Sequence, residues 1–106
     1  MSKLPLTGIK VIEVGQLLAG PFAGTLLAYF GADVIKVEPP KTGDPIRKWR
    51  LLDEQGTSFW WYSLGRNKRY VTANLRDHPG RTLLKTLISA ADVLIENFKP
   101  GTMENL

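Results

Sequence analysis

One hundred and six residues make one small domain at most, and 43% apolar with 23% charged residues is the balance of an ordinary soluble globular chain. The absence of cysteine excludes disulfides, thiolate metal sites and a cysteine nucleophile, and it is compatible with the cytoplasm, the expected location. The net charge of +4 comes without a helix-turn-helix, zinc-finger or RNA-binding-sheet signature, no apolar run approaches the roughly 18 residues of a membrane span, and the start of the chain does not read as a signal peptide, so neither nucleic acid nor membrane is an expected partner.

Residues 9–14 (IKVIEV) alternate apolar and polar types, are rich in β-branching and read as a strand. Gly20-Pro21 opens a helix, because the N–H that proline lacks has no partner at the first helical position. Phe22, Leu26, Leu27 and Phe30 fall at helical spacing and are expected to face a sheet. Gly31 ends this helix, since glycine enters the left-handed conformation without a side-chain clash. Residues 34–38 (VIKVE) form a second strand. Residues 39–57, with three prolines and two glycines, are expected to be irregular. Residues 58–64 (SFWWYSL) read as a short helix and residues 70–75 (YVTANL) as a third strand. Asp77 is placed to cap the next helix, with Pro79 in its first turn. Leu83, Leu84, Leu87, Ile88 and Ala91 stripe that helix up to about residue 90. Residues 92–96 (DVLIE) make a fourth strand, followed by a loop and the start of another helix.

Strands alternating with helices imply an α/β fold with a parallel sheet and right-handed crossovers. Ligands of such sheets bind beyond the carboxyl ends of the strands. Gly15-Gln16, Glu38-Pro39 and Asn97-Phe98 all fall at such ends.

Several patterns admit two readings. Gly15, Gly20 and Gly24 do not make the G-x-G-x-x-G of a dinucleotide site, although Glu38 stands where a ribose-binding acid lies. Ala19, Gly20, Ala23 and Gly24 are equally explained by a helix packed closely on the sheet, which leaves Gln16 and an exposed Gly20-Pro21 unexplained. Lys41, Arg47, Lys48 and Arg50, and again Arg66, Lys68 and Arg69, either hold phosphate or form a solvated basic surface. Trp60, Trp61 and Tyr62 either stack on an adenine or belong to a core or interface. His78, the one histidine, suits a helix start, and no metal site or nucleophile–base pair has support.

The wording of four segments goes further. PLTGIKVIEVGQLLAGPFAGTLLAYFGADVIKVEPP, then GDPIR, then NKRYVTANLRDHPGR, then ADVLIENFKPGTMENL stand in order from Leu6 to Leu106. Together they resemble the N-terminal segment of the family III CoA-transferases, the group of formyl-CoA transferase, carnitine CoA-transferase and the acyl-CoA racemases. The resemblance implies a Rossmann-like parallel sheet with helices on its faces, the N-terminal part of a larger fold that forms interlocked dimers. It makes residues 1–106 a coenzyme A-binding segment, with CoA or acyl-CoA bound as substrate and no permanent cofactor or metal. It places CoA contacts at Gln16, Leu17, Leu18 and Ala19 on the first loop. Ala73, Asn74, Leu75 and Arg76 would lie beside the adenine, and Asn97 and Phe98 beside the pantetheine or phosphates. Pro39 and Asn105 stand where many members carry an arginine.

The resemblance also implies the reaction: CoA moves from an acyl-CoA donor to a carboxylic acid through an aspartyl nucleophile, which lies beyond residue 106. No catalytic residue is expected within this chain, which reads as a truncated product or excised segment, inactive by itself. The racemases, whose acid and base also lie downstream, and a non-catalytic CoA-binding remnant are the alternatives. Asn67 before Lys68, and Asn97 before Phe98, are closer to the transferases.

Overall fold

A computed structural model describes residues 3–106. Four strands, β1 (Lys10–Glu13), β2 (Asp33–Glu38), β3 (Arg69–Thr72) and β4 (Val93–Ile95), form one sheet in the order β3-β2-β1-β4, with every neighbouring pair parallel. Three helices connect or flank them: α1 (Ala19–Tyr29), α2 (Phe59–Leu64) and α3 (His78–Ser89). The expected α/β architecture is the one observed.

Alternation along the strands divides the core into two layers. Ile12, Val14 and Val37 point to one face, where Leu84, Leu87 and Ile88 of α3 cover them. Val11 and Val34 point to the other, where Leu27 and Ala28 of α1 and Ala32 cover them. Helices on both faces leave little of the central strands open to water, as parallel sheets require.

Local chemistry sets the element ends. Asp77 Oδ1 accepts from Gly80 N–H at 2.8 Å and starts α3. Ser58 Oγ does the same for Trp60 N–H at the start of α2. Gly31, with φ +107°, closes α1, and a Cβ there would run into Leu4. Residues 39–57 are mostly irregular, but Asp44 caps a short 3-10 turn over Pro45–Lys48. A second 3-10 turn, Met103–Asn105, stands where another helix was expected.

Three expectations need correction. Phe22, Leu26 and Phe30 do not face the sheet; they are exposed, and of that stripe only Leu27 joins the core. The buried side of α1 is instead Gly20, Pro21, Gly24 and Thr25. Gly20-Pro21 is therefore not an exposed feature, and α1 begins before it, at Ala19. The cause lies in the sheet beneath, where charged Glu13 and Lys36 need the room that small helix residues leave. The third strand stops at Thr72 rather than reaching Leu75. Ala73 N–H still donates to Glu38 C=O at 2.9 Å, but Asn74 turns the chain, its Oδ1 accepting from Arg76 N–H at 3.0 Å.

Candidate functional site

A cleft of about 750 Å³ opens beyond the carboxyl ends of the strands. Val14 and Gln16 after β1 and residues of the 39–45 loop after β2 line it. Ala73, Asn74, Leu75 and Arg76 form the floor beyond β3, and Phe98, Thr102 and Leu106 close the end. Of the residues nominated from sequence, Gln16, Ala73, Asn74, Leu75, Arg76 and Phe98 meet in this one cleft.

Leu17, Leu18, Ala19 and Asn97 do not line it. Asn97 works from behind: its Oδ1 accepts from Gln16 N–H at 2.7 Å and its Nδ2 donates to Gln16 C=O at 2.9 Å. That pair ties the chain after β4 to the loop after β1. Leu17 sits in the left-handed region, φ 69°, with its N–H bound to Asp44 Oδ1 at 2.9 Å. Leu18 and Ala19 lead into α1. Close approach requires Gly20 here, because a Cβ would meet Gly15 Cα at 2.9 Å and Asn97 Oδ1 at 3.3 Å.

The basic residues separate into engaged and free. Arg47 chelates Glu38, with Nε and Nη2 each 2.7 Å from a carboxylate oxygen, and its guanidinium lies 3.8 Å over the Trp61 ring. Arg69 pairs with Asp33 at 2.6 Å. Lys68 turns inward to Glu13 Oε1 at 2.7 Å and Pro21 C=O at 2.9 Å. Of the turn that carries Arg66, Lys68 and Arg69, only Arg66, exposed and bonded to Ser63 C=O, is left without an acidic partner among the described residues. On the cleft wall, Lys41 and Arg76 have no acidic partner among the described residues.

Glu38 is likewise no ribose ligand. Besides Arg47, its Oε2 takes Asp44 N–H at 2.7 Å. Burial pushes its carboxyl up, but the Arg47 bond, the Asp44 amide and the charges of Arg47 and Lys36 outweigh burial and hold it below the usual value. Tyr70, beside this pair, is pushed up to about 12, mainly by burial and then by the Glu38 charge. The aromatic cluster is structural: Trp60 packs on Trp49 and Trp61 on Tyr70, both at 5.5 Å between centroids, and none of these rings lines the cleft. His78 is exposed at the start of α3 beside Thr82. No group of potential metal ligands occurs among the described residues.

What the sequence reading missed is a buried ion network under the first loop. Lys36 Nζ lies 2.7 Å from Glu13 Oε2 and 2.6 Å from Asp44 Oδ2, and donates to Gly15 C=O at 3.2 Å. Lys68 completes it on the other oxygen of Glu13. Glu13 Oε1 and Asp44 Oδ2 meet their ammonium charges at ion-pair distance but off the hydrogen-bond angle. Burial lowers the Lys68 pKa, and the Glu13 charge opposes that without cancelling it. A signal was present. Glu13 and Lys36 are register partners on adjacent strands, and they share a sheet face with Val11 and Val34, opposite the small residues of α1.

The sequence profile of CoA-transferase family III matches residues 6–106. The chain belongs to that family. Curated relatives of this family III chain include the succinyl-CoA–D-citramalate CoA-transferase of Chloroflexus aurantiacus, 51% identical over 94% of this chain and 25% of that protein. The succinate–glutarate CoA-transferase of Agrobacterium fabrum is 45% identical over 92% of this chain and 26% of that protein. The crystal structure of a CaiB/BaiF family protein from Brucella suis superposes with a TM-score of 0.87 at 42% identity, covering 98% of this chain and 28% of that one. The chain thus spans about a quarter of the length of the curated relatives it matches.

Proposed function

We propose that residues 1–106 form the coenzyme A-binding segment of an acyl-CoA:carboxylate CoA-transferase. The observation that carries this reading is the cleft at the carboxyl rim, where Gln16, residues 73–76 and Phe98 meet. Ala73, Leu75 and Phe98 offer apolar surface for an adenine and a pantetheine arm. Lys41 and Arg76 offer charge for phosphates, lysine as a point charge and arginine as a planar fork. Gln16, its backbone held at both N–H and C=O, presents a polar side chain where the thioester end would arrive.

In this reading the chain's own residues bind and orient the CoA thioester. The covalent exchange, in which an aspartate takes the acyl group as a mixed anhydride and then carries CoA as a thioester, belongs to residues beyond 106. The whole protein works as a homodimer in the cytoplasm, and the 106 residues alone turn over no acyl-CoA. The names of the two curated relatives above, both transferases, favour transfer over racemisation.

Calorimetric titration of the intact protein with CoA, with NAD as control, tests the reading. Saturable binding of CoA alone is expected. Replacing Lys41 and Arg76 together by alanine is expected to weaken CoA binding about tenfold at low salt and less at high salt. Equal affinity for both nucleotides, or for neither, would refute it.

A further inference from the structure

The loops that follow the adjacent strands β1 and β2, both contributing to the cleft, meet at one buried side chain, Asp44, which is 1% exposed. Its Oδ1 accepts from Leu17 N–H on the first loop and from Ile46 N–H on the second, both at 2.9 Å. Its Oδ2 lies 2.6 Å from Lys36 Nζ, which also donates to Gly15 C=O in the first loop. Its own N–H donates to Glu38 Oε2, so the second loop is fixed to the end of β2. Leu17 is held at φ 69°, a conformation that a leucine keeps only when its surroundings impose it. Asn97 fixes the neighbouring Gln16 backbone but makes no bond to Leu17. The bond that holds the bend is therefore the one to Asp44.

We infer that Asp44 is a positioning residue: by binding Leu17 N–H it holds the first loop in its left-handed bend and so fixes where Gln16 stands beside the 39–45 loop in the cleft. The inference rests on reading the cleft as the CoA site. The competing explanation is that Asp44 serves only to neutralise Lys36. Chemistry separates the two. In Asp44→Asn/Lys36→Met and Asp44→Ala/Lys36→Met the ion pair is gone and no buried ammonium is left unpaired. Only asparagine still offers an oxygen to Leu17 N–H.

The experiment measures CoA affinity of both double variants in the intact protein by calorimetry. The asparagine variant is expected to bind within about twofold of the wild type, and the alanine variant at least about tenfold more weakly, because the Leu17 and Ile46 N–H groups are both left without a partner. Equal affinities overturn the inference. Replacing Leu17 by its α-hydroxy acid removes the N–H, weakens Gln16 C=O only as an acceptor from Asn97, and leaves Asp44, Ile46 N–H and Lys36 in place, so it decides the matter should the alanine variant not fold. The same tenfold loss is expected, and unchanged affinity overturns the inference. A wild type that does not bind CoA refutes the proposed function instead. The pin is then read without ligand, from the strong intraresidue amide–Hα NOE that a positive φ produces at Leu17. It should persist in the asparagine variant and vanish in the alanine variant; persistence in both overturns the inference.

Discussion

Gly24 shows how one atom's absence shapes the site. A Cβ built there would overlap Glu13 Oε1 and come within 3.4 Å of Lys68 Nζ. Glycine at this position makes room for a buried carboxylate, not for a nucleotide phosphate. Gly24→Ala is expected to lower unfolding stability by about 1–3 kcal/mol, the range for overpacking a tight interior, and urea titration measures it. At Glu38 the folded-state pKa lies below its unfolded value of 4.5. The paired carboxylate thus contributes stability that is fully present above pH 4.5 and is lost as pH falls through the lower, folded value. Glu38→Gln removes that titration. The stability difference between wild type and variant is expected to be widest at neutral pH and to narrow on acidification; a constant difference down to pH 3 or so would contradict the argument.

At the scale of elements, capping and strand alternation were legible because they are local. Asp77 was placed at the start of α3 from its position before His78-Pro79, and its side chain does take Gly80 N–H. Asp77→Ala is expected to cost about 1 kcal/mol, visible as a lower thermal midpoint with unchanged fold. Gly80 beside it is more demanding, since a Cβ there would overlap Asn74 C=O in the turn that floors the cleft. The end of β3 was misplaced because the strand formers Tyr70, Val71 and Thr72 were extended through Ala73 and Asn74, which are poor strand residues, to Leu75. Asn74 breaks the strand by bonding its own side chain to Arg76 N–H, a competition that composition does not reveal. The face of α1 was misread for a related reason. The large residues marked a helical stripe, but which stripe is buried depends on what the sheet presents. Under α1 the sheet presents a charged pair that small residues accommodate.

At the scale of the whole molecule, the core is thin and much apolar surface stays in water. Phe22, Leu26, Tyr29 and Phe30 on α1, and Phe59 and Tyr62 on α2, are all exposed. Exposed apolar groups in such number mark contact surfaces. The 106-residue chain studied in isolation is expected to self-associate, with a sedimentation coefficient that rises with concentration across the micromolar range. A concentration-independent monomer would show that this surface is inert. The same scale explains the candidate site. Gln16, residues 73–76 and Phe98 are far apart in sequence, and the strand order β3-β2-β1-β4 is what brings them into one cleft at the rim. Pro40, Thr42, Gly43 and Pro45 line it too and went unnominated, because a proline-rich stretch carries no periodic signal of its own.

The order of strands and helices, the parallel sheet, the rim where a ligand would sit and the family wording were all determined by the sequence. Each was read from local patterns, strand and helix periodicity and the alternation of the two along the chain, or from motifs read directly. The tertiary structure alone decided which charges are buried and which face the cleft. Lys36 reaches Glu13 across 23 positions and Lys68 reaches Pro21 across 47. The free energy of a buried ion depends on partners that only folding brings within 3 Å or so. The same lysine in the same sequence context is a solvated surface group when those partners are absent and part of the interior when they are present.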